Sequence, residues 1–342
     1  MKTVSWKMAP SPFLVTRPTI SKMSLITGIS LVPHLLIMLI QGDIPSLVSI
    51  FAAILGSIIA ELCVSFSRKK QALGDGTAIL SGMLIGFLLP FTIPPFIVLF
   101  TSFFGCLVAR AIFGGTGTYW MNPVAVAVCI AYLSQGNLFP PLLVTPESVG
   151  AAGNVFGALK LDQFSRISVD PTITKFLNYH VLQRFSISLP EGYITLFWQS
   201  PSVIPAFRYN LLTLFASVVL LSLKIIDWIV PATFLATYAI FVYFFTPLAI
   251  STGIASGDIL FAFLTGGILF TAFFLLPEYS TTPRTRIGKF SSGFCAGIIA
   301  FFLCGLGGSS VGAVFTVVSV NPINTIIEYV EKQIVALRRN YP

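Results

Sequence analysis

Charge is what this sequence has least of. Asp and Glu number 12 and Lys and Arg 20 in 342 residues, so 9% of the chain is charged, against about 25% in a soluble domain. So few charges cannot cover a water-facing surface of ordinary extent. That excludes a soluble enzyme, a disulfide scaffold and a disordered regulator. Cysteine is scarce as well. Cys63, Cys106, Cys129, Cys295 and Cys304 lie in or beside apolar runs, none forms a C-x-x-C pair, and the two histidines, His34 and His180, are far apart. This pattern offers no zinc or iron–sulfur ligand spacing. A secretory cleavage site is also missing: Lys2, Lys7, Arg17 and Lys22 precede a long apolar run with no small-residue site behind it. The first span therefore reads as an uncleaved anchor.

What is present is apolar. Hydrophobic residues make up 55% of the chain, with 32 Phe and 27 Gly, and the mean hydropathy is +0.90. The fold class is an all-α polytopic membrane protein in a lipid bilayer. Glycine at this frequency lets such helices approach closely. The net charge of +8 is no nucleic-acid footprint, because the bases sit in short runs at the ends of apolar stretches.

Ten apolar stretches stand out, at about 24–41, 45–64, 78–90, 95–112, 122–135, 208–223, 228–249, 258–276, 290–306 and 310–327. Most are long enough to cross a hydrocarbon core of ~30 Å as helix. Two are short: 78–90 ends at Pro90, and 122–135 opens with Asn122-Pro123. Such segments are either broken helices lining a site or tilted helices with ragged ends. With the N-terminus placed in the cytoplasm, fifteen of the 20 Lys and Arg fall on the inside. The other five, Lys160, Arg166, Lys175, Arg184 and Arg208, belong to one long outer connection, where the rule hardly applies. Both termini are expected inside.

The chain divides into a segment 1–23, five spans over 24–135, a polar external region 136–207 rich in proline, five more spans over 208–327, and a cytoplasmic tail 328–342. Phe156, Leu159, Leu161, Phe164, Phe176 and Leu177 in the external region are expected to pack against something. The halves echo each other. Gly74-Asp75-Gly76-Thr77 leads into Leu80-Ser81-Gly82, and Ser256-Gly257-Asp258-Ile259-Leu260 leads into Leu264-Thr265-Gly266-Gly267. Gly114-Gly115 is mirrored by Gly307-Gly308. Since five is odd, two five-span units must be inverted copies, an architecture that places a site near the midplane at their interface. Asp75 and Asp258 then sit in equivalent places on opposite sides. Each is a helix cap or part of an ion path, since an acid at a span edge needs water, a partner or an ion. Glu61 is placed to pair with Arg68 or to meet water.

Three stretches together resemble the RnfD/NqrB family, the membrane subunits of bacterial ion-translocating electron-transfer complexes. They are Gly74-Asp75-Gly76-Thr77 through Leu88-Leu89-Pro90, then Phe113-Gly114-Gly115-Thr116-Gly117 through Asn122-Pro123, then Ser256-Gly257-Asp258 through Gly266-Gly267 and Ser280-Thr281-Thr282-Pro283-Arg284-Thr285-Arg286. The resemblance runs from about 24 to 327, and the length is more like RnfD than NqrB. It implies an inner-membrane subunit with ten spans in inverted repeats, in a fold similar to urea and ammonia channels. It implies electron transfer between ferredoxin and NAD coupled to Na+ or H+ movement, with other Rnf-type membrane and peripheral subunits as partners. It also implies FMN joined through its phosphate to a threonine in an external motif like D-x-x-[ST]-G-A-T.

Here the sequence departs from the family. Ser148-Val149-Gly150-Ala151-Ala152 has alanine, without a hydroxyl, at the acceptor position. Val169-Asp170-Pro171-Thr172-Ile173-Thr174-Lys175 keeps an acid and two hydroxyls and precedes Leu189-Pro190-Glu191-Gly192-Tyr193. Thr174 is the first choice of FMN acceptor and Thr172 the second; the alternative is that both are turn residues beside a proline. Lys175 could offset phosphate charge, and Tyr193, Phe197 and Trp198 could stack on the ring or anchor the interface. The chain carries no G-x-G-x-x-G after a strand and no cysteine cluster, so it needs partners for catalysis. The rival reading is a channel or transporter for a small neutral solute on the same inverted fold.

Overall fold

A computed structural model gives the fold and describes residues 18–68, 73–115, 117–140, 167–185, 188–250, 258–304 and 309–340. Outside these lie the 148–152 stretch, Ser256-Gly257, Gly307-Gly308, Thr116, the apolar residues at 156–164 and the bases Lys2, Lys7, Arg17, Lys69, Lys70, Lys160 and Arg166. The described residues form helices and no strand.

The first half contains α1 (Ile20–Ile40), α2 (Ile44–Arg68), α3 (Thr77–Leu88), α4 (Pro95–Cys106, running on as a π-helical turn Leu107–Ala111) and α5 (Pro123–Gln135). Two helices, α6 (Asp170–His180) and α7 (Tyr193–Trp198), lie in the connection. The second half contains α8 (Asn210–Ser222), α9 (Ile229–Ile250), the short pieces α10 (Ile259–Leu264) and α11 (Ile268–Phe270, followed by a π-helical turn Thr271–Leu275), then α12 (Arg286–Cys304) and α13 (Gly312–Asn340). At 1.5 Å per residue, α1, α2, α12 and α13 are among those individually long and apolar enough to span a membrane.

Over their described residues the ten apolar stretches all contain helix, with three points of detail. The stretches 78–90 and 122–135 are short and unbroken. Asn122-Pro123 is a helix start: the Asn122 side chain accepts from the amides of Val124 (2.9 Å) and Ala125 (3.4 Å), and proline suits the first helical position. The break falls instead at Thr265-Gly266-Gly267, where both glycines have positive φ, +63° and +71°. At Gly267 a Cβ would lie 1.9 Å from a Phe207 ring carbon, so only glycine fits. Finally, 328–342 is no separate tail over its described part. With no glycine or proline between Pro322 and Pro342, α13 runs on to Asn340.

Both halves pack in the same order: α2 on α4 and α4 on α5, then α9 on α12 and α12 on α13. α3 lies on α2, and α1 crosses α8 between the halves. Lipid offers little hydrophobic drive for helix association, so close packing and interhelical hydrogen bonds must hold the bundle. Glycine supplies the first. A Cβ on Gly56 of α2 would sit 2.3 Å from the Leu99 carbonyl oxygen of α4, and one on Gly293 of α12 would sit 1.9 Å from the Thr233 hydroxyl of α9. Serine supplies the second. Ser102 of α4 donates to the Ala53 carbonyl of α2 at 2.6 Å, and Ser57 of α2 donates to the Ala78 carbonyl of α3 at 2.7 Å.

Gly56→Ala is expected to lower stability by about 1–3 kcal/mol through overpacking. Gly28→Ala, where an added Cβ meets nothing within 4 Å, should change it by no more than about 0.5 kcal/mol. Parallel thermal melts of both variants in detergent, followed by circular dichroism, check this; equal midpoints would contradict the close α2–α4 contact.

Candidate functional site

Where the halves meet, a cavity of about 80 Å³ opens among the first turns of α1, α3 and α5 and the end of the broken helix. Its walls include Ser24 and Thr27 of α1, Thr77, Ser81 and Leu84 of α3, Tyr119 and Asn122 ahead of α5, and Phe273, Phe274, Glu278 and Tyr279. Most of this surface is apolar, and Glu278 is the acid in it.

Glu278 lies in the turn beyond the 258–276 span. Both of its carboxylate oxygens receive hydroxyl donors: Tyr119 donates to Oε1, and Thr281 donates to Oε2 at 3.2 Å. Burial pushes the carboxyl up to about 7; the bonds from Tyr119 and Thr281 and the field of Arg110 pull the other way. Burial, then the charge of Glu278, also holds the Tyr119 phenol well above its ordinary range. Arg110 sits on the π-helical turn after α4, almost fully buried, and pairs with Glu61 of α2. Glu61 thus finds its cation on a neighbouring helix.

A second cavity of about 80 Å³ lies at the other end of the broken helix, against Ser200, Ser202, Phe207, Thr265, Gly266, Ser309 and Ser310. Among the described residues its wall has hydroxyls and no charged side chain. Thr265 and Gly266 line this cavity while Phe273, Phe274 and Glu278 line the first, so the second piece of the broken helix runs from one cavity to the other. Between the cavities the Phe270 and Phe274 rings stack with centroids 4.7 Å apart, and Phe87 of α3 closes on Phe270 at 6.2 Å. The segment that joins the two mainly apolar cavities thus carries an aromatic barrier.

Asp258 opens a helix, and Asp75 stands two residues before the start of another. Asp258 accepts from the Phe261 amide at 2.9 Å as N-cap of α10. Asp75 accepts from the amide (3.2 Å) and hydroxyl (2.9 Å) of Thr77, at the start of α3. In the connection, Asp170 is fully buried and caps α7 from outside. It accepts from the amides of Gly192 (3.0 Å) and Thr195 (2.8 Å), from the Thr195 hydroxyl, and from the Thr174 hydroxyl at 3.0 Å. Burial raises the Asp170 carboxyl, and these donors, Thr195 foremost, more than offset it, leaving it below the usual carboxylate range. Thr174 is 1% exposed, whereas Thr172, on the same first turns of α6, is exposed, as is Lys175. Tyr193 is buried, Phe197 half-buried and Trp198 exposed.

The structure therefore brings Tyr119, Glu278, Arg110 and Glu61 together, a group that reasoning on Asp75 and Asp258 missed. A signal for it was present. Phe87-Leu88-Leu89-Pro90 recurs as Phe274-Leu275-Leu276-Pro277, and the residue that follows is Phe91 in the first copy and Glu278 in the second. At the first copy the Arg208 guanidinium lies 5.4 Å from the Phe91 ring centroid, and Arg208 pairs with Asp43.

A family model described as NQR2, RnfD, RnfE matches residues 7–336. The chain is similar to the D subunit of the proton-translocating ferredoxin:NAD(+) oxidoreductase complex of Clostridium ljungdahlii, with 24% identity over 94% of this chain and 93% of the relative. It is similar to the D subunits of the ion-translocating oxidoreductase complexes of Cronobacter sakazakii, at 25% identity over 95% and 97% of the two chains, and of Aeromonas salmonicida, at 26% over 92% and 94%. With that match running nearly end to end over a polytopic helical membrane fold, the chain belongs to the NQR2, RnfD, RnfE family.

Proposed function

We propose that this chain is the D-type membrane subunit of an ion-translocating electron-transport complex. The complex couples electron transfer between ferredoxin and NAD to movement of Na+ or H+ across a bacterial inner membrane. Its two halves face opposite ways, the termini lie in the cytoplasm, and the cavity at Glu278 is the cytoplasmic mouth of the ion path. The relatives' activities support the first part. The observation that carries the second is the acid in that cavity. A carboxyl among apolar walls, with hydroxyls on both oxygens, has an oxygen-rich surround for a small cation. Asp75 and Asp258 keep their capping roles in this reading. A channel for a neutral solute has no need of such an acid. Ferredoxin and NAD chemistry falls to partner subunits, since this chain has no cysteine cluster for it.

A flavin on the outer side fits Thr172 better than Thr174. A phosphodiester needs a hydroxyl with free space around it. Thr172 is exposed, with Lys175 near in sequence to offset phosphate charge, whereas the Thr174 hydroxyl is buried against a saturated carboxylate. When bound, FMN supplies one- and two-electron redox chemistry. The chain's part is to hold α6 rigidly, through Asp170, against α7.

Glu278→Gln in the assembled complex should lower ion transport at least tenfold while electron transfer persists; undiminished transport removes Glu278 from the path. Burial raises this carboxyl to about 7, so it is protonated below that pH and charged above it. Transport by the unmodified complex should therefore rise with pH through about 7. A transport profile already flat across that range would contradict the role. Flavin fluorescence of the chain on a denaturing gel should vanish in Thr172→Ala and persist in Thr174→Ala. The reverse result returns the acceptor to Thr174, and a dark band from the unsubstituted chain excludes covalent flavin.

A further inference from the structure

The aromatic barrier contains a polar side chain with no task in the reading above. His34 of α1 is fully buried, with Nε2 3.3 Å from the Thr213 hydroxyl of α8. Phe87 and Tyr209 meet the imidazole edge-on, with centroids 5.8 and 6.3 Å away. His34 stands above the first cavity. Thr27, seven residues earlier on α1, lines that cavity, as does Leu84, three residues before Phe87 on α3, and these spacings share a helix face.

The imidazole has two neutral tautomers, and the Thr213 contacts accommodate the one with its proton on Nε2. Thr213 has one hydroxyl hydrogen, and it is directed to the Tyr209 carbonyl at 3.2 Å. The Thr213 oxygen then accepts, and in that tautomer Nε2 carries the N–H and Nδ1 is a bare lone pair. Nδ1 is buried without a hydrogen-bond partner among the described residues. An orphan acceptor in an apolar setting costs stability and calls for an explanation; leucine would fill the same place without that cost.

We propose that His34 Nδ1 is the polar contact inside the barrier, accepting a hydrogen bond from water that travels with the coupling cation between the two cavities. A neutral imidazole lone pair suits a proton donor, while a hard cation keeps oxygen ligands, its own water among them. This inference rests on reading the two cavities as the ion route.

The test uses the whole complex in proteoliposomes and measures ions moved per electron beside redox turnover. His34→Leu should cut ions per electron at least fivefold with electron transfer retained. His34→Gln, which restores an acceptor, should keep more than half. Thr213→Val removes the Nε2 partner and leaves Nδ1, and should stay within twofold of the unmodified complex. Wild-type coupling in His34→Leu overturns the proposal. So does a loss in Thr213→Val as deep as that in His34→Leu, which would make His34 a packing pin. If His34→Leu does not assemble, His34→Met is judged by the same limits. Glu278→Gln separates the two readings. Normal transport in that variant sinks the ion route and His34 with it, whereas a transport-dead Glu278→Gln beside a silent His34→Leu sinks the His34 proposal alone.

Discussion

The side-chain amide of Asn210 holds the interruption on which the site depends. It donates to the carbonyls of Leu264 and Leu196, each at 2.8 Å. A helix broken inside a membrane leaves backbone groups that lipid cannot satisfy. Asn210 binds one of these at the end of α10 and ties α7 to the same point. The break turns the chain through two left-handed glycines, and Phe207 fills the space a side chain at Gly267 would need. The second piece of the helix then carries Phe270 and Phe274, and Glu278 lies in the turn just beyond it. Without a stable break there would be no aromatic barrier between two cavities and no acid below it.

Charge is used sparingly, and two ion pairs join separate elements of the bundle. Glu61 and Arg110 join α2 to the π-helical turn after α4, and Asp43 and Arg208 join the α1–α2 turn to the entry of α8. Removing one partner of a buried pair is far more damaging than its absence would be, because it strands the other charge. These pairs thus fix helix register. Glu278 differs in being held by neutral hydroxyls, which can turn their oxygens toward an incoming cation as easily as they donate. Burial is what raises this carboxyl to about 7, and the hydroxyls and the field of Arg110 offset only part of it.

The outer connection is organised by another acid used structurally. Asp170 collects donors from α6 and from the start of α7 and turns two short helices into one unit. This is why the two threonines of the degenerate motif differ. Four residues separate Thr174 from Asp170, one helical turn, so its hydroxyl points at the carboxylate. Thr172 falls on the other side of the helix.

The amino-acid sequence alone determined that the chain is an all-helical polytopic membrane protein and resembles the family to which it belongs. Those properties follow from local apolar length, charge placement and short ordered motifs, all written consecutively along the chain. The helix start at Asn122-Pro123 was visible as a motif but left open between a broken helix and an intact one, because the same residues that cap a helix also interrupt one. Only the tertiary structure decided where the break falls, which acid faces a cavity and which threonine is exposed. Glu278 meets Tyr119, and Glu61 meets Arg110, across 159 and 49 residues of chain. Such meetings depend on how helices approach through glycine contacts, and no local pattern encodes those distances.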